Sequence, residues 1–175
     1  MDWHQTVFEV IDMRSFSNLW FWIALAVMWS TASHWVLGVP FDMVSRAARL
    51  GGQAETDFED MVRINVNRLL LIAEEAGLIL VSIGSFGLTA LAVLGFGFGL
   101  EFAQALFLLG LPMTFVGLLS VRTAAQIRRR GLSGAELRRR LGRHRVAVQA
   151  IGVLSVLVTT MWGMYMNLAV GPFGS

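Results

Sequence analysis

Residues 76–121 form a continuous stretch of 46 residues in which Glu101 is the only ionisable side chain. A transmembrane helix needs about 20 predominantly apolar residues, so this stretch is long enough for two spans. The chain must then reverse direction, and the segment "GFGFGLEF" supplies Gly95, Gly97 and Gly99 as a permissive backbone for a tight turn. The sequence therefore predicts a helical hairpin inside a membrane.

Two further segments have the same apolar character. The composition agrees, because 55% hydrophobic residues and a mean hydropathy of +0.63 lie outside the range of ordinary soluble domains. We predict an all-α, polytopic integral membrane protein that forms a single four-helix transmembrane domain over residues 1–175. Its four transmembrane helices are expected at about 19–39, 76–98, 102–121 and 146–170, with loops at 40–75 and 122–145.

The distribution of Arg predicts the orientation. All 14 basic residues are Arg, and nine of them lie between the third and fourth predicted spans. Four more lie between the first and second spans, whereas the N-terminal segment carries only Arg14. Cytoplasmic loops are enriched in basic residues, so both long loops are predicted in the cytoplasm of a bacterium and both termini in the periplasm. The expected location is the bacterial inner membrane.

The N-terminal segment has a helical pattern of its own. Trp3, Val7 and Ile11 recur every four residues with Phe8 beside them, which predicts a short interfacial helix on the outer membrane surface. The first sixteen residues carry three acids against one Arg, unlike the basic start of a signal peptide. We therefore expect the mature chain to keep this segment.

Capping patterns predict that the helices extend into the cytoplasm. "TDFE" offers Thr56 as an N-cap with Glu59 reaching back, and the helix that follows has no stop signal before Gly95. A second such pattern, "SGAE", begins at Ser133, just after Gly131, which is a natural C-cap for the third helix. The cytoplasmic extensions would then be covered in Arg.

Glu74 and Glu75 interrupt the apolar run "NRLLLIAEEAGLILVSIGSFG". Residues 76–98 already measure roughly 34 Å as a helix, enough to cross a core of about 30 Å. The favoured interpretation places both carboxylates at the inner interface, paired with Arg residues. The alternative is a partly buried site inside the bilayer, where a carboxylate is costly and usually functional.

Other polar groups suggest little chemistry. His34 lies among Ser and Thr near the inner end of the first span, so it is a weak candidate cofactor ligand, although an interfacial His bonded to a neighbouring helix is the simpler interpretation. A haem held by His34 and His144 is geometrically conceivable. No catalytic motif is present, and the absence of Cys excludes thiolate metal sites and disulfides. We therefore predict no enzyme activity, no cofactor and no metal site.

The Arg clusters indicate an electrostatic role. They can bind anionic lipid, an acidic partner, or the acids of the preceding loop, which are Glu55, Asp57, Glu59 and Asp60. Nucleic acid is not expected, because the charges adjoin membrane spans and lack interleaved aromatic residues. The predicted lipid- or partner-binding residues are Arg128, Arg129, Arg130, Arg138, Arg139, Arg140, Arg143 and Arg145.

The segments "MDWHQTVFEVIDMRSFSNLWFWIALAVMWSTASHWVLGVPFDMV", "VRINVNRLL" and "LAVLGFGFGLEFAQALFLL" carry a wider similarity. Over most of its length the chain resembles a family of small bacterial four-span membrane proteins that is often labelled "component of SufBCD complex". The resemblance implies the four-span fold and an indirect role in docking at the membrane. It brings no activity and no site residues.

These observations predict a non-enzymatic accessory or scaffold subunit of a larger inner-membrane assembly, acting through lateral helix contacts and an Arg-rich cytoplasmic face. Its expected partners are anionic lipids and other membrane subunits. The alternative is a homo-oligomeric channel or transporter whose polar path runs near His34, Arg68, Glu74 and Glu75.

The predicted orientation has a direct test. A reporter that works only in the cytoplasm should be active when fused after Gly51 or Gly131 and silent when fused at Ser175, because the Arg-rich loops stay on the cytoplasmic side. Reporter activity in whole cells is the measurement, and activity at Ser175 would overturn the topology.

Overall fold

The structure is a computed structural model that describes Phe16 and residues 19–169. Among these residues the chain is almost entirely helical. The helices are α1 (Leu19–His34), α2 (Phe41–Leu50), α3 (Gly52–Ala92), α4 (Glu101–Arg130) and α5 (Gly134–Ala169). Two short strands, β1 (Trp35–Val36) and β2 (Val39–Pro40), form an antiparallel hairpin, and a π-helical turn at Val93–Gly97 prolongs α3. The predicted N-terminal interfacial helix lies outside the described residues.

Within this part of the chain, three helical segments are long and apolar enough to cross a membrane. They are Gly52–Gly97, Glu101–Arg130 and Gly134–Leu168. They contain the second and third predicted spans almost completely and the fourth up to Leu168, and the continuous helix expected to run toward Gly95 is confirmed. Helices suit a bilayer because all of their backbone groups are paired within the segment.

The first predicted span is shorter than expected. Its helix, α1, has 16 residues, about 24 Å, and ends at His34 instead of continuing to Val39. The chain turns there because Leu37 and Gly38 both have positive φ values, of 53° and 75°, as in the two-residue turns that favour tight hairpins. A Cβ at Gly38 would lie 3.0 Å from Oδ1 of Asn65, so the close approach to α3 also favours glycine.

The main core lies at the end of the bundle that carries most of the Arg residues, here called the Arg end. Along α3, Phe58, Val62, Val66 and Leu70 recur every four residues and are buried. This stripe packs in one cluster with apolar residues of the β1–β2 hairpin, α2, α4 and α5. Those residues are Val36, Val39, Val44, Ala47, Ala124, Ile127, Leu137 and Leu141.

The predicted caps at this end have mixed outcomes. The prediction of Thr56 as an N-cap is wrong, since α3 begins at Gly52 and the Thr56 hydroxyl donates to the Gly52 carbonyl inside the helix. Glu59 does not reach back to Thr56 but accepts a hydrogen bond from the backbone N–H of Gly134, at the start of α5. A carboxylate is stabilised there by the unpaired N–H groups of a helix N-terminus. Gly131 is confirmed as the C-cap of α4, with φ 58° and ψ 41°.

The opposite end, here called the glycine end, contains the reversal between α3 and α4. Only Gly99 has a positive φ there, of 73°. Gly95 serves close packing instead, because an added Cβ would lie 2.8 Å from the backbone N of Gln104. The buried Gln104 side chain donates to the Gly95 carbonyl at 2.8 Å and accepts from the Trp162 indole N–H at 2.9 Å. One amide thus joins α3, α4 and α5.

The glycines of the helices divide into packed and open positions. At Gly152 an added Cβ would lie 2.8 Å from Cε3 of Trp29, so α1 approaches α5 closely at this point. At Gly77, Gly84 and Gly87 of α3 an added Cβ would meet nothing within 4 Å. These three glycines therefore make no close contact within the chain.

Gly152→Ala should destabilise the contact between α1 and α5. The rigid Trp29 ring blocks the new methyl group, and overpacking of this kind typically costs about 1–3 kcal/mol. Gly117→Ala is the matched control, since Gly117 is also helical but open to an added Cβ. Thermal unfolding in mild detergent, followed by Trp fluorescence, should show a lower midpoint for Gly152→Ala only. Equal midpoints for the two variants would contradict the packing described.

Candidate functional site

Some Arg residues of the α4–α5 hairpin, at the Arg end, interact with side chains of the same chain. Arg128 forms an ion pair with Glu74, and Arg138 forms one with Glu55. The guanidinium carbon of Arg145 lies 4.0 Å from the centroid of the Phe41 ring, within the range of a cation–π contact. These three Arg residues therefore face α2 and α3. The expectation that the glutamates pair with Arg is confirmed for Glu74.

The acids at the start of α3 neutralise little of the remaining charge. Asp60 pairs with Arg63 of its own helix at 2.9 Å, and Asp57 accepts from Gln53 at 2.7 Å. Since Glu59 caps α5, only Glu55 among these acids reaches an Arg of the hairpin.

The other side of the hairpin holds a cleft of about 440 Å³, here called the Arg cleft. Its cationic residues come from the end of α4 and the first half of α5, and no ion pair joins them to an acid within the described chain. Burial, followed by the charges of Arg143 and Arg130, lowers the pKa of Arg140. The guanidinium groups therefore repel one another in the absence of an anion. The cleft is lined by Arg130, Arg139, Arg140, Arg143, Gln126, Leu132 and Glu136.

A buried network holds Arg140 in place. Its guanidinium donates to the Thr123 hydroxyl at 3.3 Å, and this hydroxyl lies 3.1 Å from Nδ1 of His144. Nε2 of His144 lies 3.4 Å from the Ser120 hydroxyl, whose own hydrogen goes to the Val116 carbonyl. Nε2 must then carry the ring proton, while Nδ1 accepts from Thr123. The network is consistent with one neutral tautomer of His144.

The sequence analysis named His144 only as a conceivable haem ligand together with His34, within the Arg-rich loop and two positions before the fourth predicted span. The structure buries its ring, which is 4% exposed. Burial, and next the charge of Arg140, lower the pKa of His144 to about 4. The sequence contained a weak signal for this network, because Arg140 and His144 are four residues apart on one helix and so share a face.

The residues of the alternative polar path all lie on the surface of the chain. His34, Arg68, Glu74 and Glu75 are all exposed on the outside of the described structure. His34 makes an edge contact with the ring of Trp35, at 6.0 Å between centroids. Both ring nitrogens of His144 face hydroxyls, so the haem arrangement with His34 has no support. Among the described residues, no group of three or more His, Asp or Glu is placed to hold a metal.

A second surface lies between the apolar parts of α4 and α5. This apolar groove measures about 320 Å³ and includes Pro112 and Phe115 on α4. The buried hydroxyls of Ser155 and Thr159 also line it, and both lack a hydrogen-bond partner within the described chain. Apart from these two buried groups the lining is apolar, as expected of a surface that faces lipid or another helix.

Comparison with protein-family models, with curated proteins and with solved structures finds no match to the chain. The class of protein therefore follows from the fold itself. The chain is a helical membrane protein with three helices long and apolar enough to cross a bilayer in the part described.

The stability of the protein should depend on pH through His144. Its pKa is near 6.5 when unfolded and about 4 when folded, so the unfolded state binds the proton first as the pH falls. The neutral His144 side chain contributes its full stabilisation above pH 6.5, and this contribution is lost progressively as the pH falls toward 4. From pH 7 to pH 5 the unfolding midpoint of the wild type should fall roughly 4 to 7 °C further than that of His144→Gln.

His34→Gln is the control for this comparison, because His34 is exposed. It should keep the wild-type dependence on pH in thermal unfolding measured in detergent. The neutral buried state of His144 would be disproved if His144→Gln and the wild type gave parallel curves.

Proposed function

We propose that the protein is a non-enzymatic accessory or scaffold subunit of a larger bacterial inner-membrane assembly. In this proposal it has four spans with both termini in the periplasm, and it acts through lateral helix contacts and an Arg-rich cytoplasmic face. The nine Arg residues of the α4–α5 hairpin support the orientation, because basic residues favour the cytoplasmic side.

The observation that carries this proposal is the exposure of the apolar part of α3. None of its most apolar 18-residue stretch is buried within the chain, against 17% for α4 and 28% for α5. The exposed residues include Leu78 and Phe86, which are 83% and 77% exposed. The open positions at Gly77 and Gly84 lie on the same helix, and small residues allow another helix to approach closely in a membrane.

The apolar groove between α4 and α5 supports the same role. Helix association in lipid depends on close packing and on hydrogen bonds between helices, since lipid is as apolar as the helices themselves. The lining of the groove is apolar apart from two buried hydroxyls, so a neighbouring helix can pack into it through apolar side chains. Two surfaces, one on α3 and one between α4 and α5, are thus available to neighbouring subunits.

Cross-linking in intact membranes tests the proposal. The chain has no Cys, so single Cys residues at Leu78 or Phe86 introduce unique attachment points. Each Cys should form an adduct with a protein other than this chain. That protein should also copurify with the unmodified chain in mild detergent at a fixed ratio.

Val153→Cys is the matched control. Val153 is 72% exposed on α5 and stands apart from the residues that line the apolar groove. It should give no adduct. An adduct made only of two copies of this chain would favour the homo-oligomeric channel or transporter, and the absence of any adduct at Leu78 and Phe86 would refute lateral assembly through α3.

A further inference from the structure

We propose that the Arg cleft is a binding site for the phosphate headgroup of an anionic phospholipid. Lipids with two phosphates should bind more tightly than lipids with one. This inference rests on the proposed topology, which places the cleft on the cytoplasmic side of the membrane, and it gives the Arg-rich face a defined ligand.

The charge of the cleft favours a phosphate. Four Arg residues share it with one acid, Glu136, and no N–O distance of 4.0 Å or less joins that acid to an Arg within the described chain. A guanidinium group is always charged and presents a planar set of donors that matches phosphate oxygens. Two phosphates would neutralise most of the surplus charge, whereas one would leave two positive charges unmatched.

The position of the cleft suits a headgroup. Arg140 and Arg143 precede the predicted start of the fourth span by six and three residues, which is on the order of 5 to 10 Å along a helix. The polar layer on each side of a bilayer is roughly 5 to 8 Å thick. The two guanidinium groups are thus expected beside the lipid phosphates.

A neighbouring groove indicates a lipid in preference to a free phosphate. Arg139 and Arg143 also line this second groove, which continues along α5 past Gly142 to Val146. Val146 is the first residue of the predicted span and is 64% exposed. A lipid whose phosphate lies in the Arg cleft can therefore place its glycerol and acyl chains along this groove toward the membrane.

The cleft is also partly organised before any ligand binds. Thr123 holds the guanidinium of Arg140 at 3.3 Å, and His144 in turn orients the Thr123 hydroxyl. A donor that is already fixed loses less conformational entropy on binding. Basic pockets between transmembrane helices are a known mode of recognition for anionic headgroups.

The double variant Arg139→Gln/Arg143→Gln tests the site. Both residues are exposed and unpaired within the described chain, so the fold should survive, as circular dichroism without added lipid will show. The full chain in neutral detergent is titrated with diphosphatidylglycerol, phosphatidylglycerol or phosphatidylcholine. Native mass spectrometry measures the retained lipid. Affinity for diphosphatidylglycerol should fall about 30-fold in the variant.

Arg122→Gln/Arg129→Gln is the matched control. It removes the same charge from two exposed Arg residues that do not line the cleft, and it should change the affinity less than threefold. An equal loss in both double variants would mean that lipid responds only to net charge, which overturns the site. Equal binding of phosphatidylcholine to the wild type would overturn it as well.

Gly142→Leu separates a lipid from a soluble phosphate. An added Cβ would meet nothing within 4 Å at Gly142, and Gly142 lines the neighbouring groove, so a leucine there should fill the groove. Lipid affinity should fall about tenfold, while the small thermal shift caused by millimolar inorganic phosphate should persist. A wild type that binds inorganic phosphate as tightly as lipid would refute the lipid assignment. These measurements use the isolated chain. A negative result would therefore count against the lipid site but not against the proposed lateral assembly through α3, which is tested separately by cross-linking.

Discussion

The apolar core at the Arg end determines where the charges of this protein face. The stripe from Phe58 to Leu70 on α3 packs against Ala124 and Ile127 of α4 and against Leu137 and Leu141 of α5. This packing fixes the rotation of α4 and α5 about their axes. Some of their Arg residues then meet the acids and the aromatic ring of α2 and α3, while others line a cleft on the opposite side. A basic loop thus acquires two chemically different faces.

His144 connects this core to the Arg cleft. It is buried beside the contact between α4 and α5, and it bonds Thr123, which holds Arg140 in the cleft. Burial disfavours the charged imidazole, and the positive charge of Arg140 beside it disfavours it further, which is why the pKa of His144 is lowered to about 4. The neutral ring therefore supports a cationic site without adding to the repulsion between its guanidinium groups.

The apolar part of α3 packs less tightly than the two ends of the bundle. The glycine end is closed by Gln104, which bonds Gly95 and Trp162, and the Arg end is closed by the main core. Between them the apolar part of α3 has no buried residue in its most apolar stretch. A bilayer tolerates such a surface, because lipid tails are as apolar as the helix, so burial inside the chain is not required for stability. This openness is the basis for proposing lateral partners.

The sequence alone determined the features that depend on neighbouring residues. Hydropathy placed the three long apolar helices, and Gly131 was recognised as the C-cap of α4. The pairing of Glu74 with an Arg was anticipated as well, but not which Arg. Only the tertiary structure decided the rest. Glu59 caps α5, not its own helix, and Gly95 provides a close contact in place of a flexible turn. The physical reason is that hydropathy and capping patterns act within a few residues, whereas the partner of a side chain depends on how helices far apart in sequence are rotated against each other. The division of the Arg residues between internal partners and the Arg cleft follows from that rotation.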